Sequence, residues 1–204
     1  MAGKLDQLEQ VEVMSRAQWR AWLKRNHGRT EGIWLVSYKK HIANKHLSWD
    51  AIVEEALCFG WIDSTARALD ADRRMLYVRP RKPKSVWSRI NKARVDELIK
   101  RKRMAAPGLR AIERAKADGS WNAIDHVEAL SVPDDLTLAL ARNKRAREHF
   151  DAFPPSSRKI ILHWISSAKT DSTRTKRITE TILLAAKNIR ANHYRQPLNN
   201  TKKK

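Results

Sequence analysis

The spacing of apolar residues changes twice in the first half of this 204-residue chain, and these changes limit the folds that it can adopt. From Ser48 to Gly60 the apolar residues recur at helical spacing, and Ser48 is a typical helix N-cap. After Gly60 the spacing becomes two, and residues 61–69 and 74–79 flank a polar turn, which predicts a β-hairpin. Helical spacing returns after residue 85. A helix, a hairpin and further helices in this order predict neither an all-α nor an all-β protein.

Two further patterns complete the predicted fold. Residues 33–38 are aromatic and β-branched, which indicates a third strand, and Trp19, Trp22 and Leu23 form the apolar face of a helix before it. The fold class predicted is therefore α+β. We expect a small antiparallel sheet of about three strands with two helices, followed by a mostly α-helical C-terminal module.

These patterns divide the chain into four segments. Residues 1–14 are an irregular lead-in, residues 15–130 an α+β domain with a basic helix, residues 131–194 a helical module, and residues 195–204 a disordered basic tail. No apolar run approaches the roughly 20 residues that a membrane helix needs. No apolar core follows Lys4, so we do not expect a signal peptide.

Composition also bears on compartment and cofactors. Cys58 is the single cysteine, which precludes an internal disulfide and fits a reducing compartment, so we expect a cytoplasmic protein. The histidines and Cys58 show no spacing typical of a zinc site, and the six glycines form no phosphate-binding loop. We expect neither a metal nor a cofactor.

The net charge of +20 is concentrated in two segments. Residues 61–104 carry 14 basic and 5 acidic side chains, and residues 171–204 carry 9 basic and 2 acidic ones. Such a chain attracts polyanions, which include nucleic acid, anionic lipid and acidic protein. A basic surface that serves solubility alone is the simpler alternative, and it stays open.

The densest group of cations lies in and after a loop bounded by Pro80 and Pro83. Prolines reduce the entropy that a loop loses on docking, and Lys and Arg suit phosphates. Tryptophan among cations is typical of proteins that stack bases of single strands, although a Trp at this spacing belongs more often to a core. The predicted polyanion-binding residues are Arg81, Lys82, Lys84, Ser85, Trp87, Ser88, Asn91, Arg94, Lys100, Arg101 and Arg103.

Arg94 falls inside the apolar arc of the basic helix and therefore needs a partner. In one interpretation it pairs with Asp63 and docks the helix on the hairpin. In the other, Ser88, Asn91 and Arg94 line a pocket that receives an anion. Further candidate residues of that pocket are Trp61, Asp63 and Ser64.

Three stretches resemble the YdeI/OmpD-associated family of bacterial proteins, over roughly residues 15–190. They are residues 55–64, with Cys58-Phe59-Gly60-Trp61 at the centre, residues 80–95, with Pro83-Lys84-Ser85, and residues 153–177. The resemblance implies a part in bacteriocin protection, and it supplies neither catalytic residues nor a cofactor. Because a protein of charge +20 repels cationic peptides, a protective member would act through a protein partner.

Three functions therefore stay open. The first is a cytoplasmic basic protein that binds nucleic acid or another polyanion through the Pro/Lys/Arg loop and the basic helix. The second is a stress or antimicrobial-peptide resistance factor that acts through a protein partner. The third, an enzyme on a small anionic substrate, is less favoured, and we assign no catalytic residues. A flat basic face favours the first function, whereas a deep pocket at Asp63, Ser88, Asn91 and Arg94 favours the third.

Overall fold

The computed structural model of the chain describes residues 4–193. These residues divide between Ala123 and Ile124 into two units, and each unit has a hydrophobic core of its own. The predicted basic tail, residues 195–204, lies outside the described residues.

The first unit is built on a four-stranded sheet with the strand order β1-β2-β4-β3. The strands are β1 (Gln10–Glu12), β2 (Ile33–Tyr38), β3 (Trp61–Ala68) and β4 (Arg73–Pro80). The β2–β4 and β3–β4 pairs are antiparallel, which confirms the predicted hairpin and the strand before it. The β1–β2 pair is parallel, so the sheet is mixed.

The prediction of about three strands was short by one. The segment that we expected to be an irregular lead-in contains a 3₁₀ turn (Lys4–Gln7) as well as β1. Strand β1 has only three residues, with Val11 as its one apolar side chain, so it shows no alternation. Pairing with β2, in the register Gln10 opposite Trp34, makes it a strand.

Four helices complete the first unit, in place of the two that we expected. They are α1 (Arg16–Asn26), α2 (Trp49–Cys58), α3 (Arg89–Lys100) and α4 (Ala106–Ala117). The N-caps of α1, α2 and α3 are serines whose hydroxyls each accept a backbone hydrogen bond, as is typical of helix starts. Val95 of α3 and Ile112 of α4 belong to the same core as Leu35 of β2, so all four helices share one interior with the sheet.

The second unit, within the described residues, consists of helices alone. They are α5 (Asp125–Glu128), α6 (Asp134–Ala141), α7 (Lys144–Ala152), α8 (Pro155–Ser166) and α9 (Asp171–Ala185). Leu136, Phe150 and Ile161 are fully buried at the centre of its core. The prediction of an α+β class with a helical C-terminal part is confirmed.

Helices α2 and α4 approach each other very closely. The α2 helix ends at Cys58, and Gly60 takes the left-handed conformation (φ 76°) that is typical of a residue just after a helix. The backbone N–H of Ala105 donates to the carbonyl oxygen of Cys58 at 3.1 Å. A Cβ atom added to Gly108 would lie 2.3 Å from the same oxygen, so only glycine allows this packing.

We expect Gly108→Ala to lower the free energy of unfolding by about 3 kcal/mol, because the new methyl group clashes with the backbone of Leu57 and Cys58, which cannot rotate away as a side chain can. Urea denaturation followed by circular dichroism measures the change. Gly28→Ala is the control, since a Cβ at Gly28 meets no atom within 4 Å. Equal stability of the two variants would contradict the close packing of α2 and α4.

Candidate functional site

The Pro-bounded loop that follows β4 is tightly held. The backbone N–H and the hydroxyl of Ser85 donate to the carbonyl oxygen of Lys82, at 3.2 and 2.8 Å. Lys84 is in the left-handed region (φ 60°), and its N–H donates to a carboxylate oxygen of Asp118 at 3.1 Å. The two lysine side chains are exposed, and they therefore project from an ordered backbone.

Arg81, which we predicted to contact a polyanion, is an interior residue with 7% of its surface exposed. Its guanidinium carbon lies 3.6 Å from the centre of the Trp87 ring, and its Nη1 donates to the carbonyl oxygen of Val86 at 3.3 Å. Burial lowers the pKa of Arg81 to about 10, against the opposing effect of the Asp63 carboxylate. Trp87 is 1% exposed, so neither side chain of this stack is open to a ligand at the surface.

A narrow cleft beside Arg81 gathers cations from two separate elements. Lys82 and Lys84 of the loop and Arg114 of α4 line it together with Asp118. A guanidinium nitrogen of Arg114 donates to the carbonyl oxygen of Arg81 at 3.4 Å, which ties α4 to the loop. Arg114 was not among the predicted residues, although the pair Arg110 and Arg114 at i,i+4 spacing could have indicated a basic row on α4.

The Asp118 carboxylate already accepts hydrogen bonds from two backbone N–H groups. It accepts hydrogen bonds from the N–H groups of Ser120 at 2.9 Å and Lys84 at 3.1 Å. Hydrogen bonds from Ser120, followed by that from Lys84, hold the pKa of Asp118 below its ordinary value. Among the described residues, Lys82, Lys84 and Arg114 form no ion pair with it or with any other acid.

The predicted pairing of Arg94 with Asp63 is wrong. Arg94 forms its ion pair with Asp50 in the first turn of α2, and its Nη1 donates to Asn91 Oδ1 at 3.2 Å. Asp63 instead accepts a hydrogen bond from the indole of Trp49 at 3.1 Å. A helical wheel indicates which way Arg94 points but not which element it meets, and α3 presents it to α2 rather than to the hairpin. The pair lies at the surface, since the side chain of Asp50 is 71% exposed.

The other predicted pocket residues take separate positions. Trp61 is fully buried, and its indole donates to the carbonyl oxygen of His27 at 3.1 Å. Ser88 caps α3 by accepting the Asn91 N–H at 3.3 Å. Ser64 lies at the irregularity of β3 and lines a cavity of about 460 Å³, whereas Arg94 lines a different one.

The three cations predicted at the end of α3 also separate. Lys100 is exposed, and Arg101 pairs with Glu97 one turn earlier at 2.7 Å. Arg103 instead reaches Glu55 of α2 at 2.6 Å. Of these three cations, only Lys100 therefore has no ion pair among the described residues.

Glu55 is the charged group that the sequence analysis missed. Its side chain is fully buried, and it accepts hydrogen bonds from Arg16 and Arg20 of α1 and from Arg103, each at 2.6 Å. Arg20 also donates to the carbonyl oxygen of Arg103 at 2.8 Å. We refer to these four side chains as the Glu55 cluster.

The Glu55 cluster keeps its carboxylate ionised in spite of burial. Burial alone would raise the pKa of Glu55, but the hydrogen bonds from Arg16 and Arg20, together with the charges around it, bring the pKa below its ordinary value. The signal in the sequence was a glutamate within the buried face of α2 and two arginines at i,i+4 spacing on α1.

We expect Glu55→Gln to lower the free energy of unfolding at neutral pH by about 3 kcal/mol, because it leaves Arg20 and Arg103 without their counter-charge and Arg16 with Glu54 alone. The folded-state pKa of Glu55 is depressed, so its contribution is complete above the unfolded pKa of about 4.3 and is lost as pH falls through the folded pKa. The difference between wild type and variant should therefore shrink in acid. Urea titrations at several pH values measure it.

Glu54→Gln is the matched control. Glu54 pairs with Arg16 alone, at 2.8 Å, and its side chain is 28% exposed, so the expected loss is below about 1 kcal/mol. If Glu55→Gln were no more harmful than Glu54→Gln, the Glu55 cluster would not stabilise the fold.

Comparisons with known proteins divide along the same two units. Residues 11–111 match the family described as Domain of unknown function (DUF8412). Residues 129–188 match the family described as Bacteriocin-protection, YdeI or OmpD-Associated, which confirms the resemblance for the helical part. The stretches 55–64 and 80–95, which we also compared with that family, lie within the first match. No curated protein and no solved structure matches the chain.

Two properties of residues 4–193 bear on membranes and metals. None of the helices there combines the length and apolar character that crossing a membrane requires. The same residues contain no group of three or more His, Cys, Asp or Glu side chains arranged to hold a metal ion.

Proposed function

Residues 129–188 of this chain match the YdeI/OmpD-associated family. We infer that the protein is cytoplasmic and that its first unit binds polyanions, above all nucleic acid. The observation that carries this proposal is the cationic cleft formed by Lys82, Lys84 and Arg114. Three positive groups from two elements line it with a single acid, Asp118, and a phosphate at its rim would balance the excess positive charge.

The surroundings of the cleft favour the same partner. Residues 79–116 contain fourteen Lys and Arg side chains and only three acidic ones. Arg94, Arg101 and Arg103 are paired with carboxylates. Exposed cations in this part of the chain with no ion pair among the described residues also include Arg89, Lys100, Lys102 and Arg110.

The positions of the aromatic side chains indicate how a nucleic acid would be bound. Trp61 and Trp87 are fully buried, so they offer no face on which a base could stack. The proposed contacts are therefore between cations and phosphates, which position a strand without reading its sequence. We expect little preference among sequences, and similar binding of single and double strands.

The test is binding to single- and double-stranded DNA and RNA across a salt series. Each phosphate contact contributes about −0.7 to −0.9 to the slope of log K against log salt. The variant Lys82→Gln/Lys84→Gln/Arg114→Gln should make the slope less negative by about 2 and leave the melting temperature nearly unchanged, since Lys82, Lys84 and Arg114 are exposed.

The control variant is Lys144→Gln/Arg145→Gln/Lys176→Gln. It removes three exposed cations from the second unit and gives the same net charge. A slope that changes equally in both variants would mean that binding follows total charge and not the cationic cleft. Absence of binding to every nucleic acid at low salt would remove the proposal.

A second candidate function is resistance to bacteriocins or other antimicrobial peptides through a protein partner. The description of the family matched by residues 129–188 suggests it. Leu138 of α6 and Leu183 of α9, each 62% exposed, are apolar side chains that a partner could cover.

Survival of cells producing the protein under bacteriocin challenge tests this candidate. Leu138→Ser/Leu183→Ser should abolish the protection, whereas the Lys82/Lys84/Arg114 variant should retain it. If protection is lost in the Lys82/Lys84/Arg114 variant instead, resistance depends on polyanion binding. If the wild type gives no protection, this candidate function is wrong.

A further inference from the structure

A cavity of about 580 Å³ in the first unit lies apart from the cationic cleft. One wall is α1 with the residue that follows it, which contributes Arg20, Lys24 and His27. The opposite wall combines Phe59, at the end of α2, with Pro107 at the start of α4. The volume is within the range of about 300–1,000 Å³ that is typical of sites for small molecules.

The lining of this cavity joins positive charge to apolar surface. Both charged side chains that line it, Arg20 and Lys24, are cations, and no carboxylate lines it. The ring of His27 stacks on that of Phe59, with centroids 6.1 Å apart and planes at 22°. The guanidinium of Arg20 lies 5.3 Å from the centre of the same phenyl ring. Flat rings and a cation are therefore packed together in the lining of the cavity.

The polar groups of the cavity differ in how they are held. Arg20 is fixed by hydrogen bonds to Glu55 at 2.6 Å and to the carbonyl oxygen of Arg103 at 2.8 Å. A fixed guanidinium loses little entropy when it binds a ligand, and its remaining N–H donors can bind one. Neither Lys24 nor the imidazole of His27 has a hydrogen-bond partner or ion pair in the described part of the chain.

We propose that this cavity binds a small organic anion with a flat apolar body, such as an aromatic carboxylate. The anionic group would lie between Arg20 and Lys24, and the ring would lie against His27 and Pro107, since Phe59 behind them is buried. A carboxylate beside two cations gains charge-assisted hydrogen bonds, and the ring buries apolar area. The site differs from the proposed polyanion contacts in residues, position and class of ligand.

The probe for this proposal is 2-naphthoate, with the uncharged 2-naphthalenemethanol as its matched analogue. Titration calorimetry of the full chain should give saturable binding of the carboxylate and at least tenfold weaker binding of the alcohol. Lys24→Gln should weaken 2-naphthoate by about five- to tenfold. Lys40→Gln, which removes an exposed lysine that does not line the cavity, should leave binding unchanged.

A second variant tests the cavity itself without touching a charge. Ala17 is an exposed residue of α1 that lines the cavity, so Ala17→Phe should obstruct part of the space, keep the fold and weaken binding of 2-naphthoate. Equal binding of carboxylate and alcohol, equal effects of Lys24→Gln and Lys40→Gln, or unchanged binding by Ala17→Phe would each overturn the proposal. So would a wild-type protein that shows no saturable binding at millimolar probe. Nucleic-acid binding is measured separately, and its outcome does not bear on this site.

Discussion

The Glu55 cluster is the contact on which the arrangement of the first unit depends. One buried carboxylate on α2 holds two arginines of α1 and one from the segment that leads from α3 to α4. A lone buried carboxylate would be costly, and three unpaired guanidinium groups would repel one another. The cluster is therefore stable only when three chain segments meet. By tying Arg103 to α2, it also fixes where α4 begins and permits the close contact of Gly108 with Cys58.

How much of the fold could be predicted depended on where each signal lies along the chain. Short stretches of sequence were enough to predict the hairpin, β2 and the helices α1 and α2, because each shows a clear apolar spacing and the two helices begin at serine caps. Strand β1 could not be predicted, because a three-residue strand exists only through its pairing with β2. Helical spacing after residue 85 predicted further helices, but the core that α3 and α4 share with the sheet brings together residues far apart in sequence, such as Val95 and Leu35.

The candidate site was harder to predict for the same reason. Prolines and cations around Arg81 indicated an exposed loop, yet its guanidinium stacks on Trp87 and both are buried. Arg94 does pair with an acid, but that acid is Asp50 and not Asp63, and the pair lies at the surface. Lys82 and Lys84 are exposed as expected, whereas Arg114 belongs beside them only because α4 packs against the loop.

The positive charge of the first unit thus has two different parts. Several of its arginines are buried or paired, in the Glu55 cluster and at Arg81 and Arg94. A planar guanidinium can stack on a ring and can bind a carboxylate through two N–H groups at once. It also tolerates burial better than an ammonium ion does. The cationic cleft presents mainly lysines, which keep their hydration until a ligand arrives. Net charge alone therefore overstates the number of phosphates that this protein can contact, because many of its arginines already have partners within the fold.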